Sequence, residues 1–299
     1  MSYRLDLDQQ PVATARQTLA AQLEKAVSRL EGERGHDAAA QLHDVRKDLK
    51  KSRSLLRLMR PALPEGLHEG EMATLRESAR AISAARDADA LPVTLTRLRE
   101  RNVGRVPKRT YVALEALLAE RVHTAGAQEA LAGQVDVLRA ACERVEGWPL
   151  REISWVEILD EFQRTYRRGR KAFGRAQRQS SVDNLHEWRK RAKDLLYQLS
   201  LLQAAWPAVL EAYAQQAHRL TDLLGDDHDL AMLISVMRDA GGPAGEVPTP
   251  MDPVVALAEH RRLQLQAKAW RLGERLYGEP PKTLRRRMKR LVRIARSQA

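Results

Sequence analysis

The sequence predicts an all-α, internally duplicated protein, and three observations carry that prediction. The first is composition: 43% of the 299 residues are apolar and 30% are charged, while Phe, Trp and Tyr together make only 4%. Ala, Leu, Arg, Glu and Gln are prominent, and these side chains lose little freedom in a helix. The second is periodicity, because apolar residues recur at helical spacing between clear breaks. The third is a repeat: LHDVRKDLK at 42–50 and LHEWRKRAK at 185–193 share Leu, His, Arg, Lys and Lys at identical positions, 143 residues apart.

Taken along the chain, breaks fall at 32–36, 61–70, 102–107, 147–149, 179–183, 206–207, 241–253 and 278–281, each marked by Gly, Pro, Asn or short polar residues. About eight or more helices lie between them. The break at 241–253, GGPAGEVPTPMDP, has the composition of an exposed loop. A second landmark supports duplication: Ile82 to Asp87 (ISAARD) aligns with Leu224 to Asp229 (LGDDHD), at nearly the same distance after each repeated histidine. The boundary then falls near Gly147, giving repeats over 1–147 and 148–299. Each has room for about four helices, the content of a four-helix bundle.

Composition also limits the setting. No run of 18 apolar residues exists, and MSYRLDLDQQ carries acids and amides where a signal peptide would be apolar. A cytoplasmic protein is expected. Cys142 is the one cysteine, so no internal disulfide forms, and a buried, inert thiol is expected.

Charge is segregated. Residues 40–60 hold seven Lys or Arg against two acids, 164–193 hold eleven against two, and 282–296 hold eight against none. These windows carry +22 where the whole chain carries +12, so the remainder is near −10. Such a distribution concentrates positive potential for a polyanion.

At 100° per residue, His43, Arg46, Lys50, Arg53 and Arg57 share an arc of about 80°. Val45, Leu49, Leu56 and Met59 occupy the flank, so one helix carries a basic stripe and an apolar stripe. The basic stripe spans about 21 Å, long enough for an extended polymer. His186, Arg189 and Lys193 repeat the arc, with Trp188, Ala192, Leu195 and Leu199 on the buried side; Lys47, Lys51 and Lys190 flank the two stripes. Surface helices usually pair opposite charges at i and i+4, but neither arc holds an acid. The cations therefore serve a ligand or face carboxylates elsewhere, with Asp87 and Asp229 as possible partners. Arg164, Arg167, Arg168, Arg170 and Lys171 precede the second repeat, and packed beside it they would widen the surface into a groove. In the first half only Lys25 matches, at the position of Arg168.

These residues resemble the CHAD family, the conserved-histidine α-helical domain, over nearly the whole chain. The resemblance rests on His43, Arg46, Lys50, Lys51 and Arg53; on His186, Arg189, Lys190, Lys193 and Tyr197; and on the Arg86-Asp87 and Leu224-Gly225…Asp229 turns. It implies two four-helix bundles related by a pseudo-twofold axis and a basic central surface that binds inorganic polyphosphate. In some members it also implies association with polyphosphate granules. The chain lacks an E-x-E-x-K motif and room for a fused triphosphatase, so it looks like a free-standing binding domain. Leu196 stands where the family commonly has Arg, and Ser83 where it commonly has Gly.

Polyphosphate offers repeated negative charge and no bases, so an array of Arg and Lys without stacking aromatics suits it. Binding should be salt-dependent, and the histidines, inside a positive field, should make it tighter near pH 6 than near pH 8. A nucleic-acid backbone is the main alternative ligand. A metal-dependent phosphohydrolase, or an accessory to one, is a further alternative; His43 and His186, ringed by cations, argue against metal binding, and Asp226 to Asp229 read as a helix cap. No nucleophile with its base, Walker loop or dinucleotide fingerprint is present, so no catalytic residue, cofactor or metal is expected. A basic C-terminal helix, with Leu284, Met288, Leu291 and Ile294 on its apolar face, lacks the aromatic anchors of membrane-surface helices.

Overall fold

Several helices begin where the sequence supplies a proline or a cap. The computed structural model describes residues 3–32, 38–84, 90–120, 127–240 and 251–298. Among them run eleven α-helices and no strand: α1 (Pro11–Glu31), α2 (Ala38–Leu58), α3 (Leu67–Ala84), α4 (Ala90–Arg101), α5 (Lys108–Glu120), α6 (Ala127–Glu146), α7 (Trp155–Arg178), α8 (Val182–Leu201), α9 (Pro207–Ala240), α10 (Asp252–Tyr277) and α11 (Pro281–Ser297). Pro11 and Pro281 open their helices at a position where no amide hydrogen is needed. Ser154 caps α7 in a reciprocal capping box with Glu157, and the Ser181 hydroxyl accepts from the Asn184 amide at the start of α8. Two 3-10 turns, Arg60–Ala62 and Gln203–Ala205, follow α2 and α8 at the same 143-residue offset as the sequence repeat.

Helices α1, α2, α3 and α6 pack in a closed ring, and α7, α8, α9 and α10 form another, with α11 laid on α7. The rings meet where α2 packs against α7 and α8. One continuous core joins them, and it contains the expected stripes: Val45, Leu49, Leu56, Met59, Trp188, Ala192, Leu195 and Leu199 are all fully buried. Trp188 stacks on Trp270 with ring centroids 5.0 Å apart, and Gly273 makes room for it. A Cβ there would lie 2.6 Å from the Trp188 ring and 2.5 Å from Phe173. The segment before α1 is tied down as well, since Leu5 and Leu7 are buried and the Leu5 amide donates to the Leu201 carbonyl at 2.9 Å.

A second core crosses the 147/148 boundary. Helix α9, with 34 residues and a length of about 51 Å, outruns the ring it belongs to. Its second half exposes Leu230, Leu233, Ile234 and Met237, and these are covered by Leu95 and Leu98 of α4, Leu114 and Leu118 of α5, and Val254 and Ala258 of α10. On α11 the buried side is Leu284, Met288 and Val292; Ile294 is exposed, unlike the face read from the sequence. Of the loop expected at 241–253, residues 241–250 lie outside the described residues, as does the Arg86-Asp87 turn, while Asp252 and Pro253 already belong to α10. Among the described residues no helix is long and apolar enough to cross a membrane.

Candidate functional site: a cationic groove between α2 and α8

Two helices of like charge lie together because their acids pair with arginines, most of them away from the shared face and one, Asp194, across it. On α2, Asp44 and Asp48 pair with Arg29 of α1. On α8, Glu187 and Asp194 pair with Arg191, at 2.9 and 3.0 Å. Asp194 also accepts from Arg57 of α2 at 2.9 Å, so one carboxylate bridges two arginines across the helix crossing. Beside it Ser54 donates to the Asp194 carbonyl, and Gln198 donates to the Ser54 carbonyl at 3.2 Å, fixing the register of the two helices.

The crossing leaves a cavity of about 230 Å³ lined by Arg46, Lys50, Arg53 and Arg57 from α2 and by His186, Arg189, Lys190, Arg191, Lys193, Asp194 and Tyr197 from α8. Eight of these residues are Lys or Arg and one is an acid, so the wall is strongly positive. Burial, followed by repulsion from Lys193, Arg46, Arg189 and Arg53, pushes the Lys50 ammonium down to about 6. Burial and the Arg189 charge bring Lys193 to about 8, despite partial relief from Asp222 and Asp229. Burial and repulsion from Arg57 lower Arg53 to about 10. Among the described residues the buried Nε atoms of Arg53 and Arg189 find no hydrogen-bond partner. Arg189 lies against α9 at Gly225, where a Cβ would come within 3.1 Å of its Nη2. That close approach explains a glycine inside a helix.

Two further cavities continue this one. Lys50, Arg189, Lys193 and Tyr197 are shared with a cavity of about 460 Å³ that reaches His43, Lys47 and Lys51 on one wall and Asp222, Asp226 and Asp229 of α9 on the other. Arg57 and Arg191 are shared with a cavity of about 540 Å³ bordered by Arg164 and Arg168 of α7. The three make a groove.

Of the residues singled out in the sequence, Arg46, Lys50, Arg53, Arg57, His186, Arg189, Lys190 and Lys193 converge on the central cavity, with His43, Lys47 and Lys51 at one end and Arg164 and Arg168 at the other. The two histidines therefore sit in different parts of the groove. Arg167 and Lys171 of α7 are exposed, and Lys25 lies on α1; none of these lines the three cavities. Sequence reasoning missed Arg191, 140° from His186 on the helical wheel by about 100° per residue, and Arg60, His68, Arg76 and Arg97, which come from other elements.

The His186 ring lies against that of His228, with centroids 4.3 Å apart and the planes tilted by 32°. Burial, then His228 and the neighbouring cations, push His186 down to about 4, so its free form is neutral above that pH. The cap reading of Asp226 to Asp229 is corrected: these residues lie in the interior of α9, where Asp227 is buried and accepts from Arg262 at 3.0 Å and from Gln266 at 2.8 Å. Among the described residues no group of three His, Cys, Asp or Glu is placed to hold a metal ion. Cys142 is half-buried on α6, and burial raises its thiol to about 11.

Fold and site thus define a class, a wholly helical protein in which two repeated histidine-bearing helices meet along a cationic groove. The chain belongs to the CHAD domain family, which it matches over residues 17–238. Its fold is similar to the crystal structure of the CHAD domain from the plant Ricinus communis, with a TM-score of 0.56 and 18% identity over 94% of this chain and 96% of that one. No curated protein matches the chain.

Proposed function

We propose that this chain binds inorganic polyphosphate in the groove between α2 and α8 and performs no chemistry on it. The observation that carries the reading is Lys50, a half-buried ammonium whose four strongest charged neighbours are all cations. Burying like charges together costs stability, and an anionic ligand offsets that cost. The groove offers guanidinium forks and ammonium groups at several depths. Phosphate oxygens accept charge-assisted hydrogen bonds from both, and a uniform polymer needs no fixed register. Tyr197 is the one Phe, Tyr or Trp among the described residues of the central wall and is itself buried, so bases would find little to stack on. CHAD domains are known for polyphosphate binding, and the reading extends to a role in the cytoplasm at polyphosphate granules.

Competition tests the ligand. With labelled RNA bound, polyphosphate should displace it at equal phosphate concentration. RNA that resists displacement would make a nucleic-acid backbone the better ligand.

A further inference from the structure

We propose that the arginine-lined cavity between α3 and α7 is a second phosphate site, taking the part of a polyphosphate chain that leaves the central cavity past Arg57 and Arg191. The proposal rests on the polyphosphate reading above and adds a direction to it. The cavity of about 540 Å³ is bordered by Arg57, Arg60, Arg76, Arg164, Arg168 and Arg191, and by no lysine. They come from five elements, α2, the following 3-10 turn, α3, α7 and α8, so the cluster is a product of the fold and not of one helical face.

Its carboxylates are largely committed. Glu161 is buried and accepts from Arg164 at 2.8 Å, and Asp194, just outside, holds Arg57 and Arg191. Arg60, Arg76 and Arg168 form no ion pair among the described residues. Planar guanidinium forks match the oxygens of a phosphate group better than ammonium groups do. The half-buried His68 ring stands at the wall; its nearest charge is Glu69, with Oε1 3.4 Å from Nδ1.

The opposite end of the groove differs. There Lys47, Lys51 and Arg97 face three carboxylates of α9, Asp222, Asp226 and Asp229, which repel a polyanion, whereas the α3–α7 cavity sets two, Glu69 and Glu161, against six arginines. A chain seated in the central cavity therefore extends toward α3 and α7.

The test is an Arg60/Arg76/Arg168→Ser variant titrated with tripolyphosphate and with long-chain polyphosphate. Tripolyphosphate, short enough for the central cavity alone, should bind as it does to the wild type. Long-chain affinity should fall at least tenfold, with a salt slope shallower by roughly two. Undiminished long-chain affinity would overturn the second site, and an equal loss for both ligands would merge it with the central one. A wild type that binds neither ligand would instead sink the polyphosphate reading itself. Circular dichroism checks the fold. Single Arg76→Glu and Arg168→Glu variants, both at exposed positions, should give the same ordering of effects.

Discussion

Raising the pH from 6 to 8 should weaken polyphosphate binding by up to about fifty-fold, and Lys50 is the residue expected to set that slope. In the free protein its ammonium is held near 6 by burial and by Arg46 and Arg53 of α2 and Arg189 and Lys193 of α8. A bound phosphate supplies the missing negative charge and restores the group toward its ordinary value of 10.5. The bound pKa exceeds the free one, so binding takes up a proton. Affinity is full below about 6 and falls as the pH rises toward the bound value, by at most about tenfold per pH unit. At pH 6 half of the free protein carries the proton; at pH 8 about one molecule in a hundred does. Internal phosphates stay charged throughout, so the ligand adds little slope. Calorimetry at constant ionic strength, in buffers of different ionisation enthalpy, measures both affinity and proton uptake. Lys50→Arg keeps the charge and should flatten most of the profile. A flat wild-type profile, or one unchanged in Lys50→Arg, would refute the reasoning. His186, already neutral above about 4, is a smaller contributor than its sequence position suggested.

Other perturbations separate stability from binding. Asp194→Asn removes the carboxylate shared by Arg57 and Arg191 and should cost about 3 kcal/mol; urea unfolding should show the loss, and added polyphosphate should recover part of it. Gly225→Ala places a Cβ 3.1 Å from Arg189 Nη2. Because the guanidinium can shift, stability should change by less than about 1 kcal/mol while affinity falls several-fold, and an unchanged affinity would remove Arg189 from the contacts. Asp227→Ala strands Arg262, whose side chain is 18% exposed, and should cost about 3 to 5 kcal/mol. Binding by the folded fraction should not change, because the pair lies outside the three cavities.

Local pattern made much of this legible. Val45, Leu49, Trp188 and Leu195 are core residues because a 3.6-residue period puts them on one side of their helices. The same period brings Arg46 and Lys50 to face Arg189 and Lys193. Long-range packing was not legible. The covering of α9 by α4 and α5 depends on contacts across more than a hundred residues, and no spacing within either segment encodes it. Asp226 to Asp229 resemble a helix start, yet Leu224 and Leu230 keep the helix going, and the cation that neutralises Asp227 lies 35 residues away on α10. Arg191 was hidden because its wheel position is off the arc; its own helix sets it beside Asp194 three residues on, and only the packing of α2 and α7 against α8 makes it part of the groove.

The central claim, that the ligand is held by charge from both repeats, is tested most directly by the salt dependence of polyphosphate binding in wild type and in an Arg46/Lys50/Arg189/Lys193→Gln variant. Each lost phosphate contact should flatten the slope of log K against log salt by roughly 0.7, so the variant should lose close to three from the slope, with an affinity more than a hundredfold lower near physiological salt. A variant with the wild-type slope and affinity would contradict the account.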